Sequence, residues 1–474
     1  MKENISILAE ELLKKNTFPL LDMGKKVFVE HKITLQDEIL SIFENSADDI
    51  SWVFEDLTQK DTSYATHGFH KYPAKFIPQL AKRCIEENTH PNEIVCDPFM
   101  GCGTTLIESL ISGRKTVGVD INPVAFLISK VKTTPINPEK LKAEIDMVLS
   151  DLNLYFESDH KQKTLSKVEI LPRIPDNKRI EYWFPDKKTR EDLSIILGRI
   201  NTIKDKDIRD FCLCAFSNIL KNTSIWLMKS IKPTRDLNKK IDSPINLFSR
   251  QIKKMIVGND VYWNLLPINI KNNLGDYLNI KKADARNLPA EDNSVCLIVT
   301  SPPYVTSYEY ADLHQLTALW FEYAQSVNKF REGFIGSVHK KDFDHNGIKS
   351  KLAKQEIEAL SKKSKKEAEA VKNYFFEMQQ CFEEMRRVLK PKGRACIVIG
   401  NTELRKVPIL NAEVFVEIML NLGFRMHKII KRRIPSKVLP QTRDSKTGRF
   451  TATGEADRLA YAYEYILIME KIEN

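Results

Sequence analysis

The stretch from Glu93 to Asp120 constrains this chain more than any other. Glu93-Ile-Val-Cys-Asp97 is a short apolar run of strand type, Thr104–Ser112 has helical apolar spacing, and Thr116-Val-Gly-Val-Asp120 is a second strand-type run. Strand, tight turn, helix and strand make a βαβ unit, which commits the chain to a parallel sheet covered by helices. The turn reads Asp97-Pro-Phe-Met-Gly101-Cys-Gly103-Thr104-Thr105. Its two glycines let the backbone approach a ligand that a Cβ would block, and a helix start at Thr104 offers free N–H groups. A dinucleotide-binding turn needs a third glycine for its pyrophosphate, and that glycine is missing here. Its absence disfavours a dehydrogenase and points to a smaller ligand. Asp120 ends the second strand 23 residues after Asp97, where a carboxylate can accept both hydroxyls of a ribose. A plain strand-to-helix turn explains two glycines, but not the Asp-Pro-Phe lead, the threonines and the spaced aspartate together.

The same alternation resumes later in the chain. Leu278–Ile280, Val295–Thr300 and Arg394–Ile399 read as strands, Glu413–Leu422 as an amphipathic helix, and Met426–Ile434 with Tyr463–Met469 as a closing pair of strands. Residues 1–60 are mixed in charge, with helical spacing at Ile7, Leu8, Leu12 and Leu13 and again at Ile39, Leu40, Ile42 and Phe43. The expected organisation is an N-terminal helical region over 1–60, a first part of an α/β domain over 61–125, a mostly helical insertion over 126–275, and a second part of the domain over 276–474. The lysine-rich stretch Lys340–Lys372 is expected to form a charged loop and helix on the surface.

Directly after the apolar strand at 295–299 comes Thr300-Ser301-Pro302-Pro303-Tyr304. Two prolines cannot continue a strand ladder, so the chain leaves the sheet at its carboxyl edge, where open α/β sheets bind ligands. A rigid turn there offers a serine hydroxyl, the carbonyl of Ser301 or Pro302, and the Tyr304 ring. These groups suit an aromatic amine. Its lone pair is delocalised into the ring, and acceptors on its two N–H groups favour a pyramidal nitrogen with the lone pair directed at a methyl donor. Tyr304 can stack on a base extruded from a duplex. The bland alternative is a strand-terminating turn with a packed tyrosine.

With these two segments the chain resembles the amino-methyltransferases of DNA, in particular the N4-cytosine-specific enzymes of bacterial restriction–modification systems. Asp97–Thr105 is similar to the family's cofactor motif and Ser301–Tyr304 to its catalytic motif. His70-Lys-Tyr-Pro-Ala-Lys-Phe76 resembles the segment that closes over the methionine part of the cofactor, and Asp284, in Ala283-Asp-Ala-Arg-Asn-Leu-Pro289, matches an acidic position near the cofactor adenine. The resemblance covers about 65–125 and 275–470. It implies a Rossmann-like α/β methyltransferase sheet with a mostly helical insertion, and S-adenosylmethionine as cofactor without a metal. The implied cofactor-binding residues are Tyr72, Pro73, Lys75, Asp97, Phe99, Gly101, Gly103, Thr104, Asp120 and Asp284; the implied catalytic residues are Ser301, Pro302, Pro303 and Tyr304. Double-stranded DNA is the implied partner, with a cognate restriction endonuclease in the same system. Two departures matter. The cofactor motif here precedes the catalytic motif, the reverse of many N4-cytosine enzymes, so the place of target recognition cannot be copied from them; its bulk and position favour 126–275. Serine heads the tetrapeptide, as in N4-cytosine enzymes, whereas N6-adenine enzymes typically carry aspartate or asparagine there.

The remaining properties set boundaries. The net charge of +10 over 474 residues, with a pI near 8.9, favours an anionic partner without identifying one. No apolar run reaches membrane-spanning length, and the eight cysteines contain no CxxC pair. Several cysteines lie in apolar runs, which reads as a reduced, cytoplasmic protein without a zinc framework. Arg425–Lys428, Lys431–Arg433 and the basic stretch Pro435–Phe450 are candidates for DNA phosphate contacts, although charge on Lys431–Arg433 would equally protect an edge strand. Lys362–Lys366 reads as solvated helix surface. Tyr308 is a candidate for the base pocket, and Trp320 for the core. The competing functions are an N6-adenine DNA methyltransferase, an RNA guanine-amine methyltransferase, and a DNA-binding module that retains the cofactor fold without activity. The last is disfavoured because Asp120, the glycines and Pro-Pro-Tyr are all present.

Overall fold

The computed structural model describes residues 34–72, 75–157, 170–230, 232–305, 310–336, 347–434, 442–443, 458–459 and 463–473. The helix expected around Ile7–Leu13, the residues Pro73 and Tyr308, and most of Pro435–Phe450 lie outside the described residues. At the centre is a seven-stranded sheet of β1 (Ile94–Asp97), β2 (Lys115–Asp120), β3 (Leu278–Lys282), β4 (Val295–Thr300), β5 (Leu389–Ile399), β6 (Phe424–Arg433) and β7 (Tyr463–Lys471). The strand order is β3-β2-β1-β4-β5-β7-β6. β1 pairs in parallel with β2 and β4, and the parallel run continues to β3 and β5. β7 alone runs the other way, antiparallel to β5 and β6. The chain thus starts in mid-sheet, steps outward to β3, and returns on the other side of β1. That reversal opens a crevice beyond the carboxyl ends of β1 and β4.

Both faces of the sheet are buried, and the period-two alternation of the strands assigns each residue to a face. Val95, Leu297, Val299, Cys396 and Val398 meet Trp52 and helix α2 (Pro78–Asn88), which follows α1 (Leu35–Glu44). Cys96, Ile298, Ala395, Ile397 and Leu467 point to the opposite core. Between β1 and β2 runs α3 (Thr104–Ile111). Between β2 and β3 comes a succession of helices: α4 (Pro123–Thr133), α5 (Pro138–Glu157), α6 (Lys187–Asn201), α7 (Lys206–Thr223) and α8 (Pro244–Leu265). Their apolar faces form a core of their own, in which Trp183 stacks on Trp226 at 5.0 Å and Trp320 packs against Phe184 and Phe216. After β4 follow α9 (Lys351–Ser361), α10 (Lys365–Val388) and, beyond β5, α11 (Asn411–Asn421). Residues 340–346 of the lysine-rich stretch Lys340–Lys372 lie outside the described residues; over 347–372 the expected charged helical surface is present and has a second, buried face. Lysines occupy one face of α9 and α10, but Leu352, Leu360, Val371 and Phe375 on the other face cover the sheet.

The outer edge of β6 settles the role of Lys431–Arg433. Residues 48–55 run along it, and the Asp49 N–H donates to the Lys431 carbonyl at 2.8 Å. Each cation in the triplet finds a partner. Lys431 lies 3.8 Å from Asp48 and over the Tyr463 ring, the nearly buried Arg432 pairs with Glu464 at 3.0 Å, and Arg433 pairs with Glu55. The triplet closes a sheet edge, and the phosphate-contact reading of it is set aside. Arg432→Met should remove this ion-pair partner from Glu464 and lower the unfolding free energy by roughly 1–3 kcal/mol. Urea denaturation should also show Arg432→Met/Glu464→Met to be less destabilised than the single variant; additive losses of the two single variants would mean the pair is not coupled.

Candidate active site

The turn after β1 is shaped by contacts with both neighbouring strands. Asp97 is buried, and its Oδ1 accepts from the Phe99 N–H at 3.0 Å and from the Thr300 hydroxyl at 2.7 Å. On the other side Asp120, at the end of β2, accepts from the Gly101 N–H at 3.0 Å and the Asn122 N–H at 2.8 Å. Gly101 has φ +49°, and a Cβ on it would stand 3.3 Å from the Tyr72 ring. The close approach that demands glycine is therefore made by Tyr72. Gly103, with φ +79°, faces α4, where a Cβ would press on Ser129 at 3.1 Å. Ser129 in turn donates its hydroxyl to the Gly101 carbonyl at 2.8 Å.

A cleft opens where these turns meet the Ser-Pro-Pro-Tyr segment. Tyr72, Lys75, Asp97, Phe99, Gly101 and Thr104 stand on its wall. So do Asp120, Asp284, Ser301, Pro303 and Tyr304. Two expected residues do not: Gly103 is turned to α4, and Pro302 is buried away from the cleft. Trp320 lies in the helical core as expected, and Tyr310 opens a short helix, Tyr310–Leu313.

The structure adds residues that sequence reasoning missed. The Tyr374 hydroxyl, on α10, donates to the Pro303 carbonyl at 2.8 Å and fixes the tetrapeptide from below. Asp284 is gripped by Arg286, whose Nε donates to it at 2.9 Å; Arg286 also reaches the buried Glu377 at 3.1 Å, and Glu377 accepts from the Gly336 N–H at 2.8 Å. A relay of side chains thus connects the acidic wall residue to the turn at 333–336, whose residues also line the cleft. Tyr374 and Glu377 sit in an ordinary helical pattern and give no local signal; the glycines at 333 and 336, both at positive φ, are the one cue the sequence held. His314 packs against Tyr72 at 4.9 Å, and its Nδ1 accepts from the Asn122 amide at 2.8 Å. Burial pushes His314 down to about 4, so it is neutral at physiological pH.

The electrostatics are those of buried acids. Burial raises both Asp97 and Asp120 to about 6, although hydrogen bonds from Thr300 and Asn122 oppose the shift. Two acceptors at adjacent strand ends, an aromatic ring over a glycine turn, and the apolar walls of Phe99 and Ile335 fit a nucleoside carrying a charged tail. The Asp97 shift has a consequence for stability. A carboxyl held at about 6 instead of 3.8 favours the fold fully below pH 3.8 and loses that contribution as pH rises through 6, in total roughly 3 kcal/mol. Asp97→Asn keeps the acceptor for Thr300 and Phe99 without the charge. Its stability relative to wild type should therefore rise by about that amount between pH 4 and pH 7. A pH-independent difference in urea unfolding would show that Asp97 is not a buried charge.

Comparison with known proteins agrees with this geometry. A family model described as DNA methylase matches residues 8–131 and 295–474, well over half of the chain. Type II methyltransferase M.MvaI of Kocuria varians is 27% identical over 435 residues, covering 86% of this chain and 92% of the relative. Type II methyltransferase M.MjaII of Methanocaldococcus jannaschii is 25% identical over 385 residues, covering 65% and 70%. Among solved structures, a SAM-dependent methyltransferase from Methanosarcina mazei aligns over 85% of this chain and all of that one at 10% identity, with a TM-score of 0.28, which adds nothing to the fold described above. The parallel sheet, the cleft at its switch point and the family match together identify the chain as a member of the DNA methylase family, an N6/N4-type amino-methyltransferase of DNA with S-adenosylmethionine as its cofactor.

Proposed function

We propose that the enzyme methylates the exocyclic N4 of cytosine in double-stranded DNA, as the modification arm of a cytoplasmic restriction–modification system with a cognate endonuclease. The observation that carries this reading is Ser301, which heads the tetrapeptide on the cleft wall where an adenine-N6 enzyme typically has a carboxylate or amide. When bound, S-adenosylmethionine supplies an electrophilic methyl group on a sulfonium. The chain's own residues do the rest. Asp120 accepts from the ribose hydroxyls, Asp284 stands at the adenine end, and Tyr72 and Lys75 lie toward the methionine end, where the family resemblance also assigns Pro73 a role. Asp97, Phe99, Gly101 and Thr104 shape the turn around the cofactor, and Gly103 brings α3 close to α4.

The Ser301 hydroxyl and the Ser301 carbonyl accept the amine N–H groups, and this draws the nitrogen toward a pyramidal, nucleophilic form, while Pro302, buried away from the cleft, serves to stiffen the turn. The Pro303 carbonyl is engaged by Tyr374, so the proline pair stays rigid while the amine is held. Tyr304, whose ring lies beside Gly400 at the end of β5, stacks on the extruded base. Target recognition falls to the helices between β2 and β3, within the insertion assigned to 126–275.

Four outcomes are expected. Asp120→Ala should weaken S-adenosylmethionine binding by about 1–3 kcal/mol in a folded protein, measured by calorimetry. Ser301→Ala should lower the rate of methyl transfer more than it lowers DNA affinity, and Tyr304→Ala should lose roughly 1–3 kcal/mol of base stacking with cofactor affinity intact. If either variant loses cofactor binding while keeping turnover, the tetrapeptide is structural. Digestion of DNA methylated by the wild-type enzyme should yield N4-methylcytosine; N6-methyladenine would overturn the cytosine assignment.

A further inference from the structure

Two stretches of this chain carry a large surplus of basic charge: residues 425–449, with nine lysines and arginines and one aspartate, and residues 221–254. Residues 221–254 hold nine basic and two acidic side chains, a surplus of seven against ten for the whole protein. They lie between the two stretches matched by the family model, where α7 gives way to a loop at 227–243 and then to α8. Backbone hydrogen bonds tie the described residues of the loop, 227–230 and 232–243, to one another and to Ile225. The Asp236 N–H donates to the Ile225 carbonyl at 2.7 Å, and the Leu227 N–H to the Thr234 carbonyl at 2.9 Å. Lys239 turns inward and donates to the carbonyls of Lys221, Ser224 and Trp226 at 2.6–2.9 Å, a tie that burial accompanies by lowering its pKa to about 8.

The other cations of the loop point outward. Lys229, Lys232 and Lys240 are exposed, and among the described residues none of them forms an ion pair. Arg235 stacks over the exposed Tyr182 at 4.2 Å. Beside these charges the loop exposes Leu237 (72%) and Met228 (39%). The contrast with Lys431–Arg433 is direct: there each cation is matched by an acid or a ring, and here Lys229, Lys232 and Lys240 have neither among the described residues.

The loop is also fastened to the rim of the cleft. Lys221 donates to the Ser230 carbonyl at 2.9 Å and stands close enough to Lys71 to feel its charge. Lys71 precedes the cleft residue Tyr72, and its N–H donates to Asn218 of α7 at 3.0 Å. A loop tied to α7, with three lysines that form no ion pair among the described residues and with exposed Leu237 and Met228, set beside a nucleotide-modifying cleft, has the chemistry of a duplex-docking element: lysines neutralise phosphates while apolar side chains touch base edges in a groove. We infer that loop 227–243 is the element that docks on double-stranded DNA beside the target base, with Lys229, Lys232 and Lys240 on the phosphates and Leu237 entering the groove. The inference rests on DNA as the substrate and not on which base is methylated.

The test uses the full chain and labelled duplex fragments that carry the site mapped by sequencing wild-type-methylated genomic DNA. Lys229→Gln/Lys232→Gln/Lys240→Gln is compared with Lys362→Gln/Lys365→Gln/Lys366→Gln, which removes the same charge from the exposed junction between α9 and α10. The loop variant should bind duplex at least about tenfold more weakly at 0.1 M salt, and the slope of log K against log salt should flatten by about 0.9 for each phosphate no longer neutralised. Affinity for S-adenosylmethionine should stay within about twofold, and the control variant should bind DNA within about threefold of wild type. Leu237→Ala should leave the slope unchanged and lower kcat/KM on the mapped site by about fivefold or more. Equal losses in the loop and control variants would overturn the docking assignment, and an unaffected Leu237→Ala would remove the loop from the groove. A wild-type protein that methylates no DNA would instead refute the substrate on which the inference stands.

Discussion

Asp97 and Thr300 stand 203 residues apart in the chain, yet the Thr300 hydroxyl donates to the Asp97 carboxylate at 2.7 Å. Beside it Thr105, in the first turn of α3, donates its hydroxyl to the Val299 carbonyl at 3.0 Å. These two hydrogen bonds fasten the turn after β1 to the turn after β4. The strand order makes the contact possible, because β1 and β4 are the neighbours from which the chain departs in opposite directions. Burial strengthens such a bond and also makes it costly to leave unmade. The expense is visible in Asp97 itself, held at about 6 by the loss of water around it. The cleft therefore keeps its shape only while both turns are in place, and the long helical excursion between them has to close without disturbing either.

The opposite wall depends on a second buried network. Glu108 lies on α3 directly behind the glycine turn and is fully buried; His67 Nε2 approaches it at 2.7 Å, and the Tyr64 hydroxyl donates to it as well. Lys75 and the fully buried Lys132 both donate to the His67 carbonyl at 3.3 Å. The segment that delivers Tyr72 and Lys75 to the cleft is thus oriented by polar contacts, where apolar packing would have left its register loose. Buried polar groups of this kind add specificity of arrangement more than net stability. Tyr72 must settle over Gly101 within ordinary contact distance, a placement that demands such specificity.

Local periodicity explains what the sequence disclosed. Strands buried on both faces announce themselves as short apolar runs, and β1, β2, β4 and the closing strands are found where their residues indicate, within a few positions at each end. The glycine turn and the proline pair are equally local, since each breaks a pattern for a backbone reason. What escaped depends on pairings that no short window contains. Tyr374 beneath Pro303, and the chain from Asp284 through Arg286 and Glu377 to Gly336, join residues up to 91 positions apart. Gly103 illustrates a subtler limit: its need for glycine was legible, but the neighbour that imposes it, Ser129, was not.

Charge shows the same divide in its sharpest form. Composition reports that cations exceed anions, and a run such as Lys431-Arg432-Arg433 looks like the place where the excess resides. Folding redistributes the meaning of each charge. Asp48, Glu55 and Glu464 arrive from elsewhere in the chain and neutralise that run, so it holds together a sheet edge and has little field to offer a partner. The lysines at 229, 232 and 240 are scattered among polar and apolar residues, yet no acid is brought to them among the described residues. An anionic partner responds to the field that remains after internal pairing, and counterions gather on the same unpaired groups. The side of the molecule that faces DNA is for this reason set by which cations the fold leaves unmatched, and a count of lysines and arginines along the sequence cannot identify it.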